Sequence, residues 1–186
     1  PKSLNFEQAT NFSSMLWFLI LGVFSGISGS FFLKSIQKIE TTSAKINWPI
    51  WSKLGLAGLV VGLVALIFPG VWGNGYGITN EILQLNSDEK DFSGLLNGSI
   101  LFELNIWKIS IILFAGLLIA KFITTVVAVG TGTVGGVFTP TLFLGAGLGA
   151  AFGQILSYSN LDNGLPIAAF ALVGMGSVLA ATTRSP

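Results

Sequence analysis

The stretch Gly130-Thr-Gly-Thr-Val-Gly-Gly-Val-Phe-Thr-Pro140 decides the fold, because it interrupts a long segment without charge. From Phe122 to Leu161 there is no Asp, Glu, Lys or Arg, whereas one membrane-spanning helix needs only about 20 apolar residues. Clustered glycines and a proline disfavour a continuous helix. The sequence therefore predicts two helices that meet inside a membrane, with irregular backbone between them. The second helix is predicted over 141–156.

The composition of the whole chain also favours a bilayer as its solvent. Of its 186 residues 52% are hydrophobic and only 9% are charged, which lies far outside the range of soluble domains. Further apolar segments are present over 8–33, 54–80, 106–129 and 165–181. We predict an all-α integral membrane protein, a multi-helix bundle with broken and tilted helices.

The charged residues predict how the chain crosses the membrane. A polar stretch between the first two apolar segments carries four lysines and one glutamate, and we expect it to be a cytoplasmic loop by the positive-inside rule. These residues are Lys34, Lys38, Glu40, Lys45 and Lys53. The next connection, 81–91, is net acidic and should lie on the opposite face. Lys108 and Lys121 interrupt the third segment, and either can snorkel or sit in a protein-lined cavity. We favour snorkelling to the interface over a role in lining an anion vestibule.

The absence of particular residue types excludes most catalytic chemistry. The chain has no Cys and no His, so zinc sites, disulfides, thiol nucleophiles and Ser-His-Asp arrangements are excluded. With a net charge of +1 and no basic tract, nucleic acid has no electrostatic footprint to bind. Gly130 to Gly135 match the dinucleotide pattern G-x-G-x-x-G, but their membrane-apolar flanks disfavour a soluble βαβ unit. We expect neither an enzyme nor a cofactor or metal site.

The irregular break predicts an anion site. Unpaired peptide groups at bilayer depth are tolerated only where protein or a water-filled cavity covers them. Pro140 suits the first turn of the helix that follows. The free N–H groups of residues such as Val137 and Phe138 would then point out of the helix end, where the helix dipole is positive. Such an end can hold a small anion without a cationic side chain.

Several strings in the chain are close to those of one family. Gly136-Val-Phe-Thr-Pro140 resembles the G-x-F-x-P motif of the CLC-type chloride channels and chloride/proton exchangers, and the likeness continues through 135–149. Leu21 to Gly29 and Pro69 to Gly77 resemble further family segments. So does 171–186, although the family often has Ala where this chain has Ser185.

The resemblance implies a fold and an ion. Members of that family have two inverted repeats around a chloride pathway in each subunit of a homodimer. Residues 1–186 would then be a partial CLC transmembrane domain, most of the second repeat and truncated at both ends, in a bacterial plasma membrane. By motif match, the amides of Val137 and Phe138 would coordinate chloride, and Gly135 and Gly136 would let the chain approach the ion. Pro140 completes the motif.

Two alternatives stay open from the sequence. The protein can be a passive chloride channel or an exchanger that also moves protons. The break can instead belong to an unrelated secondary transporter or to a non-transporting membrane scaffold with a re-entrant helix break. The Gly and Ala rhythm in 58–62 and 145–153 indicates close helix packing in either case.

Overall fold

The computed structural model describes residues 12–84, 109–133, 135–159, 161 and 165–183. Within these ranges the chain forms helices and connections, without strands, which confirms the all-α prediction. The elements in chain order are α1 (Phe12–Lys45), α2 (Ile50–Ile67), a 3-10 turn (Pro69–Val71), α3 (Tyr76–Gln84), α4 (Ile109–Gly130), α5 (Phe138–Tyr158) and α6 (Ile167–Thr183).

The helices have the length and composition of membrane spans. Three are long and apolar enough to cross a bilayer, over Ser14–Lys45, Ile50–Ile67 and Phe138–Tyr158. Shorter apolar helices cover Phe114–Gly130 and Ile167–Thr183. Helix α2 exposes a row of large apolar side chains, including Leu56, Leu59 and Leu63. Such an exposed face suits contact with lipid or with other membrane helices.

Helix α1 is longer than the sequence predicted. The predicted loop is wrong from Lys34 to Lys45, because α1 continues through these residues and ends before Pro49, and it is wrong at Lys53, which lies in α2. Lysine, glutamate and glutamine are good helix formers, and no glycine or proline lies between Ser30 and Pro49 to end the helix. At 1.5 Å per residue, its 34 residues extend about 51 Å, well beyond a hydrocarbon core of about 30 Å. The predicted acidic connection over 81–91 begins too early, because α3 continues through Glu81 to Gln84. Residues 85–91 lie outside the described residues.

Helices α1, α6 and α5 pack side by side through glycines. A Cβ atom added to Gly145 of α5 would lie 2.6 Å from the carbonyl oxygen of Gly174 on α6. Two turns further along α6, a Cβ atom on Gly29 of α1 would lie 2.8 Å from the Cβ of Ala181. This confirms the packing prediction for 145–153. A Cβ atom added to Gly58 or Gly62 on α2 would meet no described heavy atom within 4 Å. The same packing prediction for 58–62 therefore gains no support.

The largest apolar cluster among the described residues joins α4, α5 and α3. Its fully buried members include Phe114 and Leu117 of α4, Ile82 of α3 and Phe143 of α5. Phe32 of α1 closes one side of the cluster. The cluster therefore fixes the first turns of α5 against α3 and α4, which is where the predicted anion site lies.

Candidate anion site

Helix α4 ends in a hydrogen-bonded glycine cap. The N–H of Thr133 donates to the carbonyl of Ala128 at 3.1 Å, and the N–H of Gly132 donates to that of Val129 at 3.0 Å. Gly132 has φ +96°, the left-handed conformation that glycine adopts without a Cβ penalty. This is the Schellman arrangement, which satisfies carbonyls that the end of a helix leaves free. The predicted break is thus a defined helix end.

Helix α5 begins within the predicted motif. The N–H of Thr141 donates to the carbonyl of Val137 at 3.0 Å, and Val137 is the N-cap residue with no side-chain hydrogen bond capping the helix. The N–H groups of Phe138 and Thr139 have no preceding helical carbonyl to reach. Pro140, in the first turn as predicted, has no N–H at all. The free donors at this end are therefore backbone amides.

The two glycines that precede these amides are not packed against other described residues. Gly135 and Gly136 are exposed, and a Cβ atom added to either would meet no described heavy atom within 4 Å. Neither residue is among the described glycines with positive φ. Phe138, which follows, is 53% exposed. Neither packing nor backbone conformation within the described chain requires glycine here, so the two glycines leave room for a ligand or another segment.

A second helix start lies beside the first. Helix α3 begins at Tyr76, and the hydroxyl of Thr139 lies 3.5 Å from the Tyr76 hydroxyl. Gly75 packs on Phe143: its φ is +83°, and an added Cβ atom would lie 2.8 Å from the ring atom Cδ2. The sequence did not predict that these two helix N-termini converge, because nothing in either string specifies which distant segment it contacts.

Lys121 of α4 is buried behind this pair of helix starts. Its side chain is 3% exposed, and its Nζ donates to the carbonyl oxygens of Val71 at 2.9 Å and Gly73 at 2.8 Å. The Nζ also lies 5.6 Å from the centre of the Phe143 ring. The predicted snorkelling of Lys121 is therefore wrong, because the carbonyl groups of Val71 in the 3-10 turn and of Gly73 after it lie within its reach. Lys108 lies outside the described residues.

Comparison with known proteins identifies the family. The family model described as "Voltage gated chloride channel" matches residues 3–186. The chain belongs to the voltage-gated chloride channel family. This confirms the resemblance to CLC proteins and the membrane fold that it implies, and it disfavours an unrelated transporter or scaffold.

Individual members of the chloride channel family show how much is shared. A ClcB-like protein of Ralstonia nicotianae is 35% identical over 173 residues, which are 92% of this chain and 35% of that protein. The voltage-gated ClC-type chloride channel ClcB of Escherichia coli is 32% identical over 167 residues, 89% of this chain and 34% of its own length. The chain thus spans about a third of the length of the curated relatives it matches.

Proposed function

We propose that the protein to which this chain belongs moves chloride across a membrane, and that the backbone amides of Val137 and Phe138 bind the ion. The observation that carries the proposal is the start of α5, where backbone amides without a side-chain cap directly follow the exposed Gly135 and Gly136. Membership of the chloride channel family supports chloride over other small anions.

The chemistry of the site suits an ion that must both enter and leave. Amide donors and the positive end of the helix dipole compensate for the hydration that chloride loses. Because these donors are neutral, they bind the ion less firmly than a lysine or arginine side chain would, and the ion can move on. The exposed ring of Phe138 can add the positive rim of its quadrupole beside the ion. Transport of this kind breaks no covalent bond, so we propose that the protein is not an enzyme.

The remaining features follow from the family. We propose that residues 1–186 form most of the second repeat, that the complete protein is a homodimer, and that segments outside this chain supply the other groups of the pore. The bacterial relatives support a plasma membrane location. Coupling of chloride to protons is the second candidate mechanism, since the family that the motifs resemble contains exchangers as well as channels.

Ion flux from liposomes tests the proposal. The complete protein is reconstituted, and internal chloride and external pH are recorded together, with protein-free liposomes as the control. Chloride release accompanied by proton movement, at a fixed ratio of chloride to protons, identifies an exchanger. Chloride release at constant pH identifies a channel. Liposomes that retain chloride under every gradient, although they contain folded protein, would overturn the proposed function.

A further inference from the structure

Lys121 is the only charged side chain that is buried among the described residues. No described Asp or Glu forms an ion pair with it. A buried charge is costly unless hydrogen bonds compensate for its lost hydration, and the carbonyl oxygens of Val71 and Gly73 supply them. The same two bonds restrain the last residue of the 3-10 turn and the connection that leads from it to α3.

The restrained backbone leads directly to the start of α3. Gly73 and Gly75 both have positive φ, at 63° and 83°, so this connection is a tight and specific turn. Gly75 accepts the hydrogen bond from the N–H of Thr79 at 3.0 Å and therefore marks the beginning of α3. The two carbonyl groups that Lys121 binds thus lie four and two residues before Gly75, close to the start of α3.

The same ammonium lies over α5. Phe143 is fully buried, and its ring contacts Gly75 on one side while the Nζ of Lys121 lies 5.6 Å from its centre. An ammonium at this distance from an aromatic ring is attracted to its face. Lys121 therefore contacts both the turn that precedes α3 and the second turn of α5.

We infer that Lys121 is a positioning residue that holds the start of α3 against the first turns of α5. It acts on the anion through the backbone, because its hydrogen bonds go to carbonyl oxygens. The effect on chloride rests on the proposed function, since it follows if the α5 amides bind the ion. The effect on helix position does not rest on the proposed function, and the helix position and the chloride affinity can be measured separately.

Spin labels measure the helix position directly. The printed sequence has no cysteine, so Asn74→Cys in the turn and Ile155→Cys on α5, both exposed, give one label pair within this chain. Other cysteines of the complete protein are replaced first. Electron paramagnetic resonance then compares the label distance in the Lys121 protein with that in Lys121→Met and Lys121→Arg. Methionine keeps the length and volume without donors or charge, and arginine keeps both charge and donors.

We expect one narrow distance with Lys121 and with arginine, and a distribution at least about twice as broad with methionine. Chloride affinity measured by calorimetry should fall about tenfold in Lys121→Met, as expected for the loss of hydrogen bonds to a charged group. Arginine should restore it to within about twofold. Where the methionine variant fails to fold, Lys121→Gln keeps a neutral amide group with two N–H donors and should give an intermediate width.

Two results would overturn the inference. One is a methionine or glutamine variant that circular dichroism shows to be folded and that has the same label distance as the unsubstituted protein. The other is an arginine variant whose distribution of label distances is as broad as that of the methionine variant. In that case the shape of the side chain, and not its charged donors, would set the conformation of the turn. If the unsubstituted protein binds no chloride, the proposed function fails, while the label distances still decide the role of Lys121.

Discussion

Replacement of Gly174 by alanine should force α5 and α6 apart. A Cβ atom at this position would overlap the carbonyl oxygen of Gly145 and lie 3.0 Å from both N and Cα of Gly149. All three are backbone atoms, so no side chain can turn away to make room. The helices can accept the methyl group only by separating, and the packing of α5 that supports the anion site changes with them.

The size of the effect follows from two opposed contributions. Overpacking of a close contact costs about 1–3 kcal/mol, while alanine in place of glycine favours a helix by about 1 kcal/mol. Gly176 provides the matched control, because it lies on the same helix and an added Cβ atom meets no described atom within 4 Å. Gly176→Ala should therefore stabilise the protein by up to about 1 kcal/mol. Gly174→Ala should be less stable than Gly176→Ala by about 2 kcal/mol.

Reversible unfolding of the complete protein in mixed micelles, followed by circular dichroism, measures this difference. Both variants carry the same chemical change, so their difference isolates the helix contact. Equal free energies of unfolding for Gly174→Ala and Gly176→Ala would refute the reasoning, since they would show that α5 and α6 do not approach closely at these glycines.

Three further substitutions test other parts of the structure. Gly75→Ala should destabilise the protein by about 1–2 kcal/mol because of its positive φ and its contact with Phe143. Gly77→Ala, where an added Cβ atom meets no described heavy atom within 4 Å, should be neutral or stabilising by up to about 1 kcal/mol in the same unfolding assay. Ser25→Ala should be neutral or stabilising by up to about 1 kcal/mol, because the buried Ser25 hydroxyl has no hydrogen-bond partner among the described residues; a clear loss of stability would show that the hydroxyl is bonded. Gly136→Ala should weaken chloride binding about tenfold, measured by calorimetry, with no change in unfolding; unchanged affinity would argue against close approach of the ion at Gly136.

Much of the fold could be predicted from the chain because its signals are local. The uncharged run after Lys121 is too long for one span, and glycines and Pro140 mark where it breaks; the structure places the end of α4 and the start of α5 there. The same locality explains the error in α1. Charge alone suggested a loop after Leu33, whereas helix propensity and the absence of proline before Pro49 continue the helix.

The surroundings of the site could not be predicted in the same way. The contact of Gly75 with Phe143 and the bonds of Lys121 to Val71 and Gly73 join residues that are far apart in the sequence. A lone lysine in an apolar segment is compatible with both snorkelling and burial. Only the tertiary structure shows that free carbonyl groups lie within its reach. The one signal in the sequence that marked Lys121 was that a charge inside a membrane span is energetically costly.

The central claim is that the amides of Val137 and Phe138 bind the anion, and anomalous diffraction from bromide-soaked crystals of the complete protein tests it most directly. Bromide replaces chloride, and its anomalous signal identifies it. The account predicts a bromide peak within hydrogen-bonding distance of the amide nitrogens of Val137 and Phe138, and a weaker peak at the same place in Gly136→Ala. Bromide bound only elsewhere, with the start of α5 empty or covered by another segment, would contradict it.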